Sequence, residues 1–234
     1  RLKTGIVPEP EALFVNNNSI KELSGLNLSH YELIREIKYK FKSWSPAVFI
    51  GFNSIKFDEE ILRKSFFKSL LESYITQLDG NRRADLLNIV RTNNFYFNDT
   101  FKTLINKKGK KSYKLEDLAQ ANEINHHAHD AMGDVIATIN IAKIIKSKHN
   151  DFWQQCIFNS YKKDVENYIF KNKVFCFNDF NFGQMNAFAL TYLCMHPKYG
   201  YIQCFDLTVD PKEIINLQYS DLKKRLKEKP IFVK

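Results

Sequence analysis

Ile50-Gly51-Phe52-Asn53-Ser54-Ile55-Lys56-Phe57-Asp58-Glu59-Glu60 is the stretch from which the fold class is read. The apolar run Val48–Phe52 ends in small and polar turn residues, then passes into three successive carboxylates. Such a short run, bounded by turn signals, predicts a buried parallel strand. From Glu59 to about Tyr74 the spacing predicts a helix with Ile61, Leu62, Phe66, Leu70 and Leu71 inward. A strand feeding a helix through a tight turn is the unit of an α/β fold. It delivers an acid to the carboxyl end of a strand, where sites in such folds lie.

On the N-terminal side, Pro8-Glu9-Pro10 reads as extended and Ala12–Val15 as a strand end. Ser29-x-x-Glu32 is a capping-box pattern. It opens a helix with Tyr31, Ile34, Ile37 and Phe41 on one face, broken at Pro46. On the C-terminal side, helices are predicted from Asp85 to about Phe95 (Leu86, Leu87 and Val90 inward) and from Lys114 to Asn122. A basic loop, residues 106–114, lies between them. After a polar connector, Asn125–His129, the strongest helix runs from Ala131 to Lys148 with Val135, Ile136, Ile139, Ala142 and Ile145 inward. The alternation predicts an α/β fold with its sheet covered on its faces.

Beyond Lys148 the character changes. An amphipathic segment, Asp151–Phe170, precedes short aromatic β-runs at Val174–Phe177, Ala187–Tyr192 and Tyr199–Asp206, as in a small β-barrel. The expected division is therefore residues 1–149 and 150–234.

With 234 residues and 44% hydrophobic content, the chain can bury a sizeable core. It has no apolar run long enough to span a bilayer, so no membrane association is expected. Cys156, Cys176, Cys194 and Cys204 form no C-x-x-C pair. They read as reduced thiols of a cytoplasmic protein rather than as zinc ligands or a disulfide framework. A net charge of +9 suits a polyanionic partner such as nucleic acid, and equally a solvated lysine-rich surface. The chain starts without Met and stops on a strand-like run, so a fragment is expected.

The chemistry-bearing residues fall in two distant stretches. Asp58 follows the strand. Glu59 and Glu60 are its neighbours, but successive helical side chains diverge, so one of the three is expected in a site. An acidic helix N-terminus that complements the macrodipole explains Asp58 as well. In the second stretch, His129-Asp130-Ala131-Met132-Gly133-Asp134, Asp130 reads as the cap of the long helix. Asp134 sits on its first turn, at the margin of the apolar face, where a carboxylate wants a cation. His129 is the candidate base. Neutral imidazole can take a proton from water, and a divalent metal held by carboxylates makes that water acidic. His126 and His127 read as loop residues. Phe57, Arg63, Tyr74, Arg91 and Lys114 interleave rings and cations around these segments. Bases stack on rings, and phosphates pair with Arg or Lys. Core packing for Phe57 and surface charge for the others serve equally for any one of them. Taken together, this is the layout of a metal-dependent phosphodiester-cleaving site.

Gly51-Phe52-Asn53…Phe57-Asp58-Glu59-Glu60 and Ala128-His129-Asp130-Ala131-Met132-Gly133-Asp134-Val135 resemble the bacterial exonuclease I family, within the DEDDh group of 3′→5′ exonucleases. Asp85-Leu86-Leu87…Arg91 and Ser112-Tyr113-Lys114-Leu115-Glu116 match it in order and spacing, and the match covers roughly residues 47–146. The resemblance implies a ribonuclease H-like exonuclease domain, incomplete at its N-terminus, then a partial SH3-like domain. It implies release of 5′-mononucleotides from single-stranded DNA with two Mg²⁺ ions, Mn²⁺ being the alternative, in DNA repair and recombination. By motif position His129 matches the general base, Asp134 a metal ligand and Asp58 the acid supporting the second metal. Arg63, Tyr74, Arg91 and Lys114 match strand contacts, with Lys114 in place of an Arg, which weakens bidentate phosphate contact. Asn53 matches a position near the terminal nucleotide. The resemblance further implies a monomer and a single-stranded-DNA-binding protein as partner.

The family's first motif, Asp-x-Glu on the opening strand, has no counterpart from Arg1 to Ala47, so the chain as written is expected to be nearly inactive. Two alternatives remain at this level: a non-catalytic DNA-binding remnant, and a DEDDh ribonuclease trimming RNA.

Overall fold

The computed structural model describes residues 5, 7–15, 18–125, 131–228 and 232–233. Two compact units divide the chain, Arg1–Ser160 and Tyr161–Lys234.

The first unit opens with α1 (Pro10–Val15) and α2 (Ile20–Gly25). The strand end expected at Ala12–Val15 is thus helical. Proline at a first helical position loses no hydrogen bond and presets φ, and Glu11 adds an acid to the first turn. The capping box read from Ser29 and Glu32 is present at the entrance to α3 (His30–Trp44). Ile34 of α3 is buried, and Ile37 and Phe41 pack on the same cluster. Tyr31 is exposed rather than inward.

The strand expected from Val48 is β1 (Val48–Gly51), followed by α4 (Asp58–Lys68). α4 ends earlier than its apolar spacing suggested, because Leu70 adopts φ +54° and turns the chain. Leu70 is consequently exposed; Ile61 is exposed as well, while Phe66 is fully buried against Ile34 and Ile75. Next come β2 (Arg82–Asp85), α5 (Leu86–Tyr96), α6 (Leu115–Ala121), α7 (Ala131–Lys148) and α8 (Asn150–Phe158). β2 pairs parallel to β1, Val48 opposite Arg82 and Gly51 opposite Asp85.

α7 packs against α5, α6 and α8. Its inward face is Gly133, Ala137, Ile141 and Ile145, joined in the main core by Leu86, Val90 and Leu118. Val135, Ile136 and Ile139, expected inward, are about half exposed (51%, 47% and 47%). α7 is apolar nearly all round, so periodicity could not choose its buried face. Phe152, Trp153 and Cys156 of α8 pack on that same core, which is why the division falls after Ser160 rather than at 149.

The second unit holds α9 (Lys162–Lys171), β3 (Phe175–Asn181), β4 (Gln184–Met195), β5 (Ile202–Asp206), α10 (Lys212–Ile215), α11 (Tyr219–Glu228) and β6 (Phe232–Val233). The single amphipathic segment expected at Asp151–Phe170 is therefore two helices, one in each unit. The strands form a four-stranded antiparallel sheet in sequence order. Phe175, Leu190 and Cys204 are buried there beside Ile169 of α9, which packs on β4. Phe205, Val209 and Ile214 form a further cluster with Leu222 and Leu226 of α11. Among the described residues no helix is long and apolar enough to cross a membrane.

Candidate functional site

The turn between β1 and α4, with the helix it launches, carries Asn53, Phe57, Asp58 and Arg63 of the expected site. Gly51 ends β1 where a Cβ would lie 2.5 Å from Ser54 Cβ, so only glycine admits this close approach. Asn53 takes the left-handed conformation, φ +57°, which asparagine tolerates better than most residues. The Ser54 carbonyl then accepts from the N–H of Phe57 (3.3 Å) and of Glu59 (2.9 Å), launching α4. Phe57, expected among the strand contacts, is 62% exposed rather than in the core. Asp58 is exposed at the first position of α4.

Five residues further on, Arg63 is held from both sides. Its Nε and Nη2 donate to Glu60 Oε2 (3.0 and 2.5 Å), and Nη1 donates to Tyr74 Oη (2.9 Å). The guanidinium carbon also lies 5.5 Å from the Tyr74 ring centroid. Lys64 Nζ adds a second cation to Glu60 at 3.2 Å. The Arg63 hydrogen bonds, then that of Lys64, hold the Glu60 carboxyl below its ordinary range. On the other side of the helix entrance, Glu59 Oε2 accepts from Arg83 Nη1 (2.9 Å) and Thr76 Oγ1 (3.2 Å). These groups line a cavity of ≈ 260 Å³ that includes Glu59, Glu60, Arg63, Tyr74, Thr76 and Arg83. That volume is below the roughly 300–1,000 Å³ of small-molecule pockets, and suits a phosphate-sized group more than an entire nucleotide.

Asp85, the last residue of β2, was legible only as the start of α5. It is 8% exposed. Its carboxylate accepts from Asn53 N–H (2.8 Å) and Leu87 N–H (3.1 Å) through Oδ1, and from Ile55 N–H (3.4 Å) through Oδ2. It caps α5 and grips the β1–α4 turn together. Arg91, on α5, lies over the Tyr113 ring at 6.0 Å. Burial lowers its guanidinium from the ordinary value, and the charges of Asp85 and Tyr113 oppose that.

Lys114 caps the start of α6 and pairs with Glu116 (3.0 Å), whose hydrogen bond raises the lysine from its ordinary range. In the basic loop, Asn106 Oδ1 accepts from the N–H groups of Lys108 and Lys110, which shapes its tip. Asp134 is half-buried on the first turn of α7, whose neighbours are α5 and α6, the helices of Arg91 and Lys114. His129, together with His126, His127 and Asp130, lies outside the described residues.

Among the described residues no three His, Cys, Asp or Glu side chains gather as a metal-holding group. The donors that are described, the carboxylates of Asp58 and Asp134, are hard oxygens. Mg²⁺ characteristically takes one or two carboxylates, with water and substrate phosphate completing its shell. In donor chemistry the pair fits that ion.

No protein-family model matches the chain. It is similar to exodeoxyribonuclease I of Haemophilus influenzae, 35% identical over 165 residues covering 70% of this chain and 35% of that protein. Exodeoxyribonuclease I of Buchnera aphidicola subsp. Baizongia pistaciae is 30% identical over 226 residues, covering 90% and 45%. Escherichia coli exonuclease I, crystallised with a dA16 oligonucleotide, superposes with TM-score 0.74 at 25% identity, covering 94% and 49%. The chain spans less than half the length of each of these proteins. Fold, motif order and these likenesses agree: over the part of their length that it spans, the chain is similar to proteins of the exonuclease I family.

Proposed function

We propose that this chain carries the nuclease half of a 3′→5′ exonuclease that shortens single-stranded DNA to 5′-mononucleotides, in the cytoplasm and in the service of DNA repair. The observation that carries the reading is the surface of α4. One helix presents an exposed acid at its first residue, Asp58, and five residues later a guanidinium, Arg63, laid on a tyrosine ring. Acid and phosphate-pairing group then stand along one element, with a base-stacking ring from the following segment laid against it. The E. coli relative was crystallised with a single-stranded oligonucleotide, which accords with this substrate class.

In this reading Arg63, Arg91 and Lys114 pair with backbone phosphates, and Tyr74 and Phe57 offer rings to bases. Asn53 meets the terminal nucleotide. Asp58 and Asp134 would hold Mg²⁺, which when bound supplies an acidified water and neutralises charge on the cleaved phosphate. His129 takes the proton from the attacking water at its ring nitrogen and passes it to solvent. A single-stranded-DNA-binding protein is the expected partner, and the protein acts as a monomer.

The test is digestion of a 5′-labelled oligothymidylate with Mg²⁺ by the chain as written and by the chain supplied with an upstream Asp-x-Glu strand, with Asp134→Ala and His129→Ala made in the latter. The chain as written is expected to shorten it barely, and the chain supplied with the strand to give a ladder from the 3′ end that both variants lose. Oligonucleotide binding in EDTA without any Mg²⁺-dependent shortening would identify a DNA-binding remnant instead, and preferential loss of an RNA oligonucleotide would identify a ribonuclease.

A further inference from the structure

The geometry points to Asp85 as a positioning residue: its buried carboxylate ties the β1–α4 turn to β2 and thereby sets where Asn53 and Asp58 stand. This rests on the nuclease reading above for its consequence, though not for its geometry.

A helix cap needs one acceptor for one or two orphan N–H groups, and serine or asparagine serves as well as aspartate. Asp85 does more than cap. Beside Leu87 N–H it takes the N–H groups of Asn53 and Ile55, which lie 32 and 30 residues earlier. Those two donors flank Ser54, whose carbonyl receives the N–H groups of Phe57 and Glu59 at the entrance to α4. The path from Asp85 to the helix start is therefore short: the carboxylate bonds the Ile55 amide, the same peptide group carries the Ser54 carbonyl, and that carbonyl bonds Phe57 and Glu59 on either side of Asp58.

The turn needs such a clamp because it is tightly folded, with Ser54 pressed on Gly51 and Asn53 in the left-handed region. β2 supplies a second strut two residues before Asp85, where Arg83 donates to Glu59, the immediate neighbour of Asp58. Alternate residues of a strand share a face, so one side of β2 holds the α4 entrance at two points.

Asp85→Ser separates clamp from cap. A serine hydroxyl reaches Leu87 N–H as an N-cap but is too short for the turn amides. Asp85→Asn keeps one acceptor oxygen for Asn53 and Leu87 and turns an N–H₂ toward Ile55. Amide hydrogen exchange is measured on the full chain, and steady-state digestion of a single-stranded oligonucleotide on that chain supplied with an upstream Asp-x-Glu strand.

The expected result for Asp85→Ser is loss of protection at Asn53 and Ile55 with Leu87 retained, and a fall in kcat of about 10- to 100-fold with KM little changed. Asp85→Asn is expected to lose protection at Ile55 alone and to fall less in kcat. Wild-type kcat in Asp85→Ser, or wild-type protection at Asn53 and Ile55, overturns the proposal. If Asp85→Ser does not fold, unchanged Ile55 protection in Asp85→Asn overturns it and loss there supports it. If the chain supplied with the Asp-x-Glu strand digests no oligonucleotide, the nuclease reading has failed, and the exchange data still judge the clamp.

Discussion

Arg63→Met deletes the guanidinium while keeping an unbranched stem, so it tests whether α4 meets phosphates. One phosphate contact on a single strand contributes about 0.7 to the slope of log K against log salt. Between about 50 and 200 mM salt, log salt changes by about 0.6, so a fully engaged Arg63 accounts for about 0.4 in log K, roughly 2.6-fold. In the wild type that contact has a rival. Glu60 already accepts two Arg63 hydrogen bonds and a Lys64 contact, so a phosphate must displace a carboxylate. Glu60→Gln removes the rival charge. The expected outcome is tighter binding in Glu60→Gln, with the full slope loss of about 0.7 when Arg63→Met is added to it, and a smaller loss when Arg63→Met is made in the wild type. Fluorescence anisotropy of labelled oligothymidylate in EDTA at several salt concentrations reads all four proteins. An unchanged slope on removing Arg63 in both backgrounds would refute phosphate contact, and no affinity gain in Glu60→Gln would refute the competition.

The same pair predicts a pH dependence. Because Arg63 lowers the Glu60 pKa, the carboxylate stays charged below its ordinary 4.5, so the affinity gap between wild type and Glu60→Gln should persist down to that pH and close only beneath it; closure near neutrality would contradict this. Burial pushes the Cys156 thiol up to about 12, whereas Cys176 and Cys194 are exposed. Native protein at pH 8 should alkylate at the two exposed thiols well before Cys156, as mass spectrometry of timed samples will show. Asn81 is 3% exposed and bonds Ala47 N–H (2.9 Å), Ser45 Oγ (2.8 Å) and the Ile75 carbonyl (2.7 Å). At about 1 kcal/mol net for each bond, Asn81→Ala should cost about 3 kcal/mol in urea unfolding, and a loss under about 1 kcal/mol would mean water replaces the amide. Phe66→Ala, at a fully buried position, should cost about 3–5 kcal/mol by the same measurement.

What the sequence made legible is local. The capping box of α3 and the span of α7 depend on residues a few positions apart, and both stand where their patterns put them. The inward face of α7 was not legible, since its exposed and buried sides are equally apolar. β2 escaped notice because Arg82-Arg83-Ala84-Asp85 is three-quarters charged. Its strand character comes from pairing with β1, a partner more than thirty residues away. The site divides in the same way. Arg63 and Asp58 were legible as residue types near a strand end, but the seating of Arg63 on Tyr74 depends on a chain reversal at Leu70 that no apolar spacing announces. Asp85 reads in the sequence as the start of a helix, and its two further hydrogen bonds are long-range.

The net charge of +9 is a poor guide to how this surface meets an anion. Arg63, Lys114 and Arg83 each rest against a glutamate, Glu60, Glu116 and Glu59 respectively. The first two pairs are solvent-exposed and of the kind that contributes little to stability. A phosphate arriving at Arg63 or Lys114 therefore exchanges one weak partner for another, and the net gain per contact is modest in either direction. The Arg83–Glu59 pair is the more buried, and Thr76 also bonds Glu59. Breaking it would leave a half-buried charge unmatched, so it belongs to the frame rather than to the exchanging surface. α4 thus carries, on adjacent residues, a glutamate that fixes the helix entrance and another that would compete with a bound strand for Arg63. Their difference lies in burial and partner, not in residue type.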